Sequence, residues 1–187
     1  MKRACVLLAP GFEEIEAVTV IDVLRRTEVH VEIAAVGAPG SEATPLVTGS
    51  HDIAVRATTR AETVNAAELD ALVLPGGLPG AHHLRDDPTV QKLIAEAHRA
   101  DKLVAAICAG PVALERAGVL EGRAATSFPG TALPSARYSE ARVVVDGRVV
   151  TSRGPGTALE FSLELVRRLV SDAVADKLSR TMLVNVE

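Results

Sequence analysis

The chain has 187 residues, 48% of them hydrophobic, which is enough to bury one sizeable core, so we expect a single domain spanning 1–187. A net charge of -4 and an aromatic content of 2% argue against a nucleic-acid partner, which needs a basic surface or stacking platforms. No apolar run approaches the ~20 residues of a membrane span, and two cysteines make no disulfide framework, so we expect a cytoplasmic protein without a membrane partner.

Short apolar runs alternate with longer segments of helical period, which is typical of an α/β fold whose parallel sheet carries helices on both faces. The first strand is predicted at 4–9 and a helix at 13–27. Glu13 and Glu14 begin this helix, where acidic side chains compensate the helix dipole. The apolar residues of its predicted stripe are Ile15, Val18, Ile21 and Leu24.

The second strand is predicted at 29–36, and 37–60 is less regular, with short strand-like pieces around Leu46 and Ile53. An Asp-Gly pair at 146–147 between β-branched runs predicts an antiparallel hairpin attached to the sheet. The other predicted elements are strands at 71–75 and 103–107, a helix at 88–100 with Pro88 in its first turn, a helix from near Cys108 to before Gly118, a helix at 156–170 with a stripe of Leu159, Leu163, Val166 and Val170, and a terminal helix at 171–183.

Four unusual segments follow strands or precede a helix: "APGFEEIE", "PGGLPG", "CAGP" and "SRGPGT". In an open α/β sheet, ligands bind at the carboxyl ends of the strands, because loops and helix N-termini converge there. The coincidence of these segments at that edge predicts one functional site.

Cys108 is the candidate nucleophile, because "AICAGP" passes from strand to helix without a spacer. Ala109 and Gly110 are small enough for the sharp corner of a nucleophile elbow. A thiol at the helix N-terminus would have a lowered pKa and ionise readily. The alternative is a buried structural cysteine, which is our interpretation of Cys5 in the first strand.

Glu16 is the candidate partner of this thiol, because its neighbours Ile15 and Val18 are apolar. A carboxylate would repel a thiolate, so we expect a protonated Glu16 that donates a hydrogen bond to sulfur and shuttles a proton. Backbone N–H groups of Gly76 and Gly77, with the N–H that follows Cys108, are candidates for an oxyanion hole, although an ordinary turn is the alternative.

Arg153 either binds an anionic group or braces its own loop, and the sequence favours neither role. His82 and His83 follow the Gly-Gly loop, and we expect them to be solvated helix residues. No Cys/His cluster has the spacing of a zinc site, and no phosphate-binding glycine motif occurs, so we expect no metal, nucleotide or other cofactor.

The segments "VLPGG", "AAICAGP", "TSRGPGT" and "EEIEAVTVIDVLRR" resemble the ThiJ/PfpI superfamily, in the branch that contains the Parkinson-disease-associated protein deglycase. The resemblance implies a flavodoxin-like three-layer sandwich and a homodimer. It also implies that Cys108 is the nucleophile and an oxidation-sensitive thiol, that Glu16 is its protonated partner, and that Gly77 and Ala109 supply oxyanion N–H groups. Phe128 stands where the family often has a histidine, which weakens a Cys-His dyad.

Two functions of different classes follow from this resemblance. The first is a cofactor-independent glyoxalase or deglycase that acts on small carbonyl substrates such as methylglyoxal and glyoxal, or on their early protein adducts. The second is an oxidative-stress sensor or chaperone in which Cys108 oxidises to a sulfinate. An amide or isonitrile hydrolase, or a peptidase, is a third alternative, which the absent downstream histidine disfavours.

Overall fold

The computed structural model describes residues 1–37, 40 and 42–184. The strands are β1 (Arg3–Leu8), β2 (His30–Ala35), β3 (Leu46–Thr48), β4 (Ala54–Arg56), β5 (Thr59–Arg60), β6 (Ala71–Leu74), β7 (Leu103–Ile107), β8 (Ala124–Ala125), β9 (Arg137–Tyr138), β10 (Val143–Asp146) and β11 (Val149–Ser152). The helices are α1 (Glu14–Arg25), α2 (Gly80–Asp86), α3 (Pro88–Arg99), α4 (Pro111–Arg116), α5 (Ala158–Leu169) and α6 (Asp172–Thr181). None of the described helices is long and apolar enough to cross a bilayer.

The main sheet has the strand order β10-β11-β7-β6-β1-β2-β5 within the described residues, and it is parallel except for the β10–β11 pair. Apolar side chains of α1, α5 and α6 pack on one face of the sheet. Those of α2, α3 and α4 pack on the other face. The predicted α/β sandwich with helices on both faces is therefore confirmed.

The chain order of the strands reverses between β1 and β6, since β2 and β5 lie on one side of β1 and β6, β7 and β11 lie on the other. Such a switch point opens a crevice at the carboxyl ends of the strands. The loops after β1, β6 and β7 all lead into this crevice. These loops carry three of the four segments that the sequence singled out, and the fourth, "SRGPGT", begins at the end of β11.

The predicted apolar stripe of α1 is wrong for two of its four residues. Ile15 and Val18 are 57% and 46% exposed, respectively, whereas Ile21 and Leu24 are buried as expected. The buried face instead adds Glu16, Ala17, Val20 and Val23. A mostly apolar helix offers more than one stripe of helical period, and only the position of α5 and the sheet selects between them.

The helix at 156–170 shows the same kind of difference. Leu163 and Val166 are buried, but Leu159 and Val170 are 39% and 40% exposed, respectively. Phe161 and Leu165 fill the core in their place. The prediction identified the helix correctly, while the buried face is rotated toward α1 and the sheet.

The hairpin of β10 and β11 is confirmed, and it is part of the main sheet rather than an attachment to it. β11 pairs in parallel with β7, and β10 adds an antiparallel edge. Asp146 pairs with Val149, so the two turn residues are Gly147, with φ of +62°, and Arg148. A glycine with positive φ at the first turn position is typical of a type II′ hairpin.

The irregular region forms a separate antiparallel pair, β3 and β4, followed by the edge strand β5. The strand-like piece at Leu46 is confirmed, and the one at Ile53 begins a residue later, at Ala54. Residues 38, 39 and 41 of this region lie outside the described residues. The loop between β3 and β4 reaches the N-terminus of α1, where the N–H of Ser50 donates to the carbonyl of Phe12 at 2.8 Å.

Candidate active site

Cys108 occupies the sharp corner that the sequence predicts. It follows β7 directly and has φ of +64°, a conformation that is costly for a residue with a side chain. Its N–H donates to the carbonyl of Ser152 at 2.9 Å, and its carbonyl accepts from the N–H of Phe128 at 2.9 Å. Neighbouring segments therefore hold the corner from both sides, and the side chain is half-buried.

The helix after the corner differs from the prediction, because α4 begins at Pro111 and has six residues. Gly110 lies between the nucleophile and this helix, with its N–H donating to the carbonyl of Ile107 at 2.9 Å. A short helix that starts three residues later supplies a weaker dipole at the sulfur than the sequence suggests.

Gly76, at the end of β6, brings the parts of the site together. A Cβ added at Gly76 would lie 2.6 Å from Cys108 Cβ, 2.8 Å from Glu16 Oε2 and 2.9 Å from the nitrogen of Ala109. These separations are shorter than real side chains tolerate, so only glycine fits here. The candidate nucleophile, the candidate acid and one candidate oxyanion donor thus lie around one glycine.

Glu16 is completely buried, and its Oε2 accepts a hydrogen bond from the N–H of Gly76 at 2.8 Å. Its Oε1 is buried without a hydrogen-bond partner among the described residues. The sequence assigned the Gly76 N–H to a substrate oxygen, but the structure uses this N–H to hold Glu16. A buried carboxyl with one satisfied oxygen favours the protonated form.

The N–H groups of Gly77 and Ala109 are near enough to the sulfur of Cys108 to lower its pKa. Gly77 has φ of +86°, and a Cβ there would overlap the backbone of the loop after β1. Glycine therefore allows the loop after β6 to approach the crevice closely. The N–H groups of Gly77 and Ala109 remain the candidates for an oxyanion hole.

Burial raises the pKa of Glu16 to about 7, while hydrogen bonds from the Gly76 N–H and the Cys108 thiol act in the opposite sense. Burial, together with the charge and hydrogen bond of Glu16, raises the pKa of Cys108 to about 12, although the N–H groups of Ala109 and Gly77 oppose this rise. The N–H groups thus lower the thiol pKa as predicted, but burial and Glu16 raise it more strongly. Sulfur and carboxyl titrate as one coupled pair, and the raised pKa of Glu16 agrees with the predicted protonated form.

Glu13 and Glu14 lie at the N-terminus of α1, as predicted, and they also contact the loop between β3 and β4. Glu14 is 5% exposed, and its carboxylate contacts the N–H of His51 at 2.7 Å and the Nδ1 of His51 at 3.0 Å. Although burial opposes ionisation, hydrogen bonds from His51 and from backbone N–H groups lower the pKa of Glu14 to about 2. Glu13, Glu14 and His51 also have donor atoms close enough to hold a metal ion.

Arg153 uses its guanidinium to donate to the carbonyl of Glu140 at 2.9 Å. This contact agrees with the bracing role, one of the two that the sequence left open. The segment "SRGPGT" contributes Ser152 to the nucleophile instead, through a backbone carbonyl that no side-chain pattern reveals. Arg153 and the half-exposed Phe128 line a cavity of about 340 Å³ beside Gly154.

His82 and His83 are exposed on α2, as predicted, and the Nδ1 of His83 lies 3.0 Å from the carbonyl of Pro10. Cys5 is completely buried in β1, and burial raises its pKa. Both observations agree with the structural roles that the sequence assigns to these residues.

Comparisons with known proteins agree with the resemblance found in the motifs. Residues 2–168 match the model of the DJ-1/PfpI family. A Parkinson disease protein 7 homolog of Danio rerio is 39% identical over 98% of this chain and 97% of its own length. A deglycase of Pyrococcus abyssi is 35% identical over 89% of this chain and 99% of its own length.

The crystal structure of Drosophila melanogaster DJ-1beta superposes on the chain with a TM-score of 0.92 and 34% identity, covering 99% of both chains. The fold of this chain, with the strand order given above, is therefore that of a known group of proteins. The superposition covers 99% of this chain, so it includes the segments that carry Glu16, Gly76 and Cys108.

Proposed function

The chain belongs to the DJ-1/PfpI family, and from this premise we propose that it is an enzyme of the glyoxalase or deglycase type. Its substrates are 2-oxoaldehydes such as methylglyoxal and glyoxal, or their early adducts on proteins. The observation that carries the proposal is the convergence at Gly76, where Cys108 Cβ, Glu16 Oε2 and the Ala109 nitrogen all lie within 2.6 to 2.9 Å of the point that a Cβ would occupy. The deglycase of Pyrococcus abyssi supports the activity class.

The reaction starts when the Cys108 sulfur attacks the aldehyde carbon and the thiol proton passes to the Glu16 carboxylate. The negative charge that develops on the aldehyde oxygen is held by the N–H groups of Gly77 and Ala109. Glu16 then returns a proton to this oxygen, which gives a neutral hemithioacetal on Cys108. A thiol with a raised pKa can react in this way because its proton has an acceptor in contact with it.

In the second stage, Glu16 takes the proton from the carbon bonded to sulfur and gives it to the oxygen of the neighbouring carbon, which forms an enediol. Glu16 then takes the hydroxyl proton beside the sulfur and delivers it to the neighbouring carbon. The product is a thioester of the hydroxy acid with Cys108. Water hydrolyses this thioester, releasing lactate from methylglyoxal or glycolate from glyoxal and restoring the thiol. The net change is the addition of one water molecule to the substrate. Glu16 and Cys108 are the groups that exchange protons with it.

The test is lactate formation from methylglyoxal in the absence of glutathione. Cys108→Ala is expected to abolish the enzymatic rate, whereas Cys5→Ala, which removes the buried thiol of β1, is the matched control and is expected to retain it. Equal rates for wild type and Cys108→Ala would show that the mechanism is wrong.

A second candidate function is redox sensing through Cys108, favoured by the same two N–H groups that face the sulfur. These groups and a protonated Glu16 can hydrogen-bond the oxygens of a sulfinate. Mild peroxide treatment is expected to add two oxygen atoms to Cys108 and none to Cys5, measured by intact mass and peptide mapping. Absence of oxygen on Cys108 would count against this function.

We also propose that the chain forms a homodimer in the cytoplasm. The family resemblance favours a dimer, and the exposed side chains of Ile15 and Val18 on α1 and Ile53 in the adjacent loop offer an apolar surface. Both cysteines are free, which fits a reducing compartment. Light scattering of wild type and Val18→Glu tests the surface, since the charged side chain is expected to shift the assembly toward monomer.

A further inference from the structure

A second group of polar side chains converges beside the N-terminus of α1, away from the sulfur of Cys108. Carboxylate oxygens of Glu13 and Glu14 and the Nδ1 of His51 all lie within 4.8 Å of one another. Ser50 Oγ lies 3.3 Å from an oxygen of each carboxylate and 3.1 Å from His51 Nδ1. Four donors from two separate segments therefore surround one point.

Glu14 is held rigidly in this group. It is 5% exposed, and its Oε1 accepts hydrogen bonds from the N–H groups of His51 at 2.7 Å and Ile53 at 3.4 Å. A Cβ at Gly49 would overlap the Glu14 carboxylate, so glycine lets the loop close around it. Its Oε2 is left facing Ser50 Oγ and His51 Nδ1, as a preorganised ligand atom would be.

Five of the six separations among the four donors are close to those around a tetrahedral metal ion. His51 Nδ1 lies 3.0 Å from Glu14 Oε2 and 3.6 Å from Glu13 Oε2. The three distances from Ser50 Oγ to these donor atoms are 3.1 to 3.3 Å. Zinc bonds of 2.0–2.1 Å in a tetrahedron place donors about 3.3–3.4 Å apart. The sixth separation, between the carboxylate oxygens of Glu13 and Glu14, is within 4.8 Å, so the Glu13 side chain would close on the ion as it binds.

We propose that Glu13, Glu14, His51 and Ser50 form a site for Zn²⁺. The two carboxylates balance the charge of the ion, and an imidazole with carboxylate oxygens is a donor set that zinc accepts and that Mg²⁺ and Ca²⁺ do not prefer. The hydroxyl of Ser50 completes the fourth position or yields it to water. Zinc takes the place of the proton that His51 Nδ1 shares with Glu14, and this proton leaves to solvent.

The first test is calorimetric titration of Zn²⁺ into the full chain carrying Cys108→Ser, because a free thiol also binds zinc. We expect one equivalent of bound zinc. Adding His51→Ala is expected to weaken binding by at least about 10-fold. Adding His83→Ala, which removes another exposed histidine, is the matched control and is expected to leave the affinity unchanged.

Glu13→Gln is the second variant, since Glu13 is more exposed than Glu14 and its substitution disturbs the fold less. It too is expected to weaken zinc binding, while circular dichroism shows a folded chain. Co²⁺ in the same background is expected to give the intense visible absorption of a tetrahedral ion, which His51→Ala removes. The site would be overturned if no zinc bound, or if His51→Ala left the zinc affinity unchanged. The cluster would then be only a salt bridge between His51 and the two carboxylates. These readouts are independent of aldehyde turnover.

Discussion

Glu14 and Glu16 lie in the same turn of α1 and are both buried, yet their pKa values move in opposite directions. Although burial opposes ionisation of Glu14, His51 and backbone N–H groups lower its pKa to about 2. Burial raises the pKa of Glu16 to about 7, because the N–H of Gly76 and the Cys108 thiol offset it only in part. This difference shows that the hydrogen-bond donors around a buried acid, and not burial alone, determine its charge.

The same difference separates two chemical roles along one helix turn. Glu14 stays ionised and can anchor a cation, whereas Glu16 changes its protonation near neutral pH and can move a proton. Substitutions that remove the charge of Glu14 or Glu16, and changes of pH that alter their protonation, therefore test these two roles most directly.

Glu16→Gln is expected to have the largest effect, because it keeps the shape of the side chain but cannot take the thiol proton. Loss of general acid–base catalysis predicts a fall of about 10²- to 10⁴-fold in lactate formation. Glu62→Gln, at an exposed acid, is the control and is expected to keep the rate. A Glu16→Gln enzyme of normal activity would remove Glu16 from the mechanism.

The pH profile of the wild-type rate sharpens this prediction. Since the ionised form of Glu16 accepts the proton and its pKa is raised to about 7, activity is expected to fall as pH drops below about 7. A profile that is flat from pH 6 to about 8 would contradict this role.

Gly76→Ala is expected to disrupt the site and the fold together. The added Cβ would meet Cys108 Cβ at 2.6 Å and the Ala109 nitrogen at 2.9 Å, and backbone cannot easily give way. We expect a loss of about 1–3 kcal/mol in the free energy of unfolding, measured by urea denaturation, with loss of activity. Gly156→Ala is the control, since a Cβ there meets no atom within 4 Å, and it is expected to be nearly neutral.

The stability contributions of the two acids are expected to have opposite pH dependence. The Glu14 pKa is lowered to about 2 from 4.5, so its contribution is present above pH 4.5 and is lost as pH falls toward 2. The Glu16 pKa is raised to about 7 from 4.5, so its contribution is present below pH 4.5 and is lost as pH rises through 7.

Urea denaturation of wild type, Glu14→Gln and Glu16→Gln at several pH values measures both trends. Each wild-type-minus-variant difference is expected to change by roughly 1–3 kcal/mol across its window. Slopes of the same sign for both acids would show that the contrast between them is wrong.

Arg153→Ala is expected to have the smallest effect, because its guanidinium contacts the Glu140 carbonyl. We expect a change of less than about threefold in kcat/KM for methylglyoxal. Glyoxylate, an aldehyde that carries a carboxylate, is the comparison substrate. A large loss confined to glyoxylate would favour the anion-binding role of Arg153.

The prediction of Cys108 at a corner succeeded because its signal is local: an apolar strand, a cysteine and two small residues in succession. The buried faces of α1 and α5 were predicted less well, since an apolar helix offers several equivalent stripes. The thiol pKa was predicted from the helix that follows Cys108 alone, because the sequence shows neither the burial of the sulfur nor the proximity of Glu16, and both raise this pKa.

The sequence by itself determined most of the longer strands and helices in chain order, the hairpin and the segments that meet at one edge of the sheet, because periodicity and turn chemistry are local. Tertiary structure alone decided that Gly76 holds Glu16 against Cys108, and that His51 meets Glu13 and Glu14 across 37 or more residues of chain. Such contacts depend on which strands become neighbours and how closely loops approach, and no local pattern of residues encodes these distances.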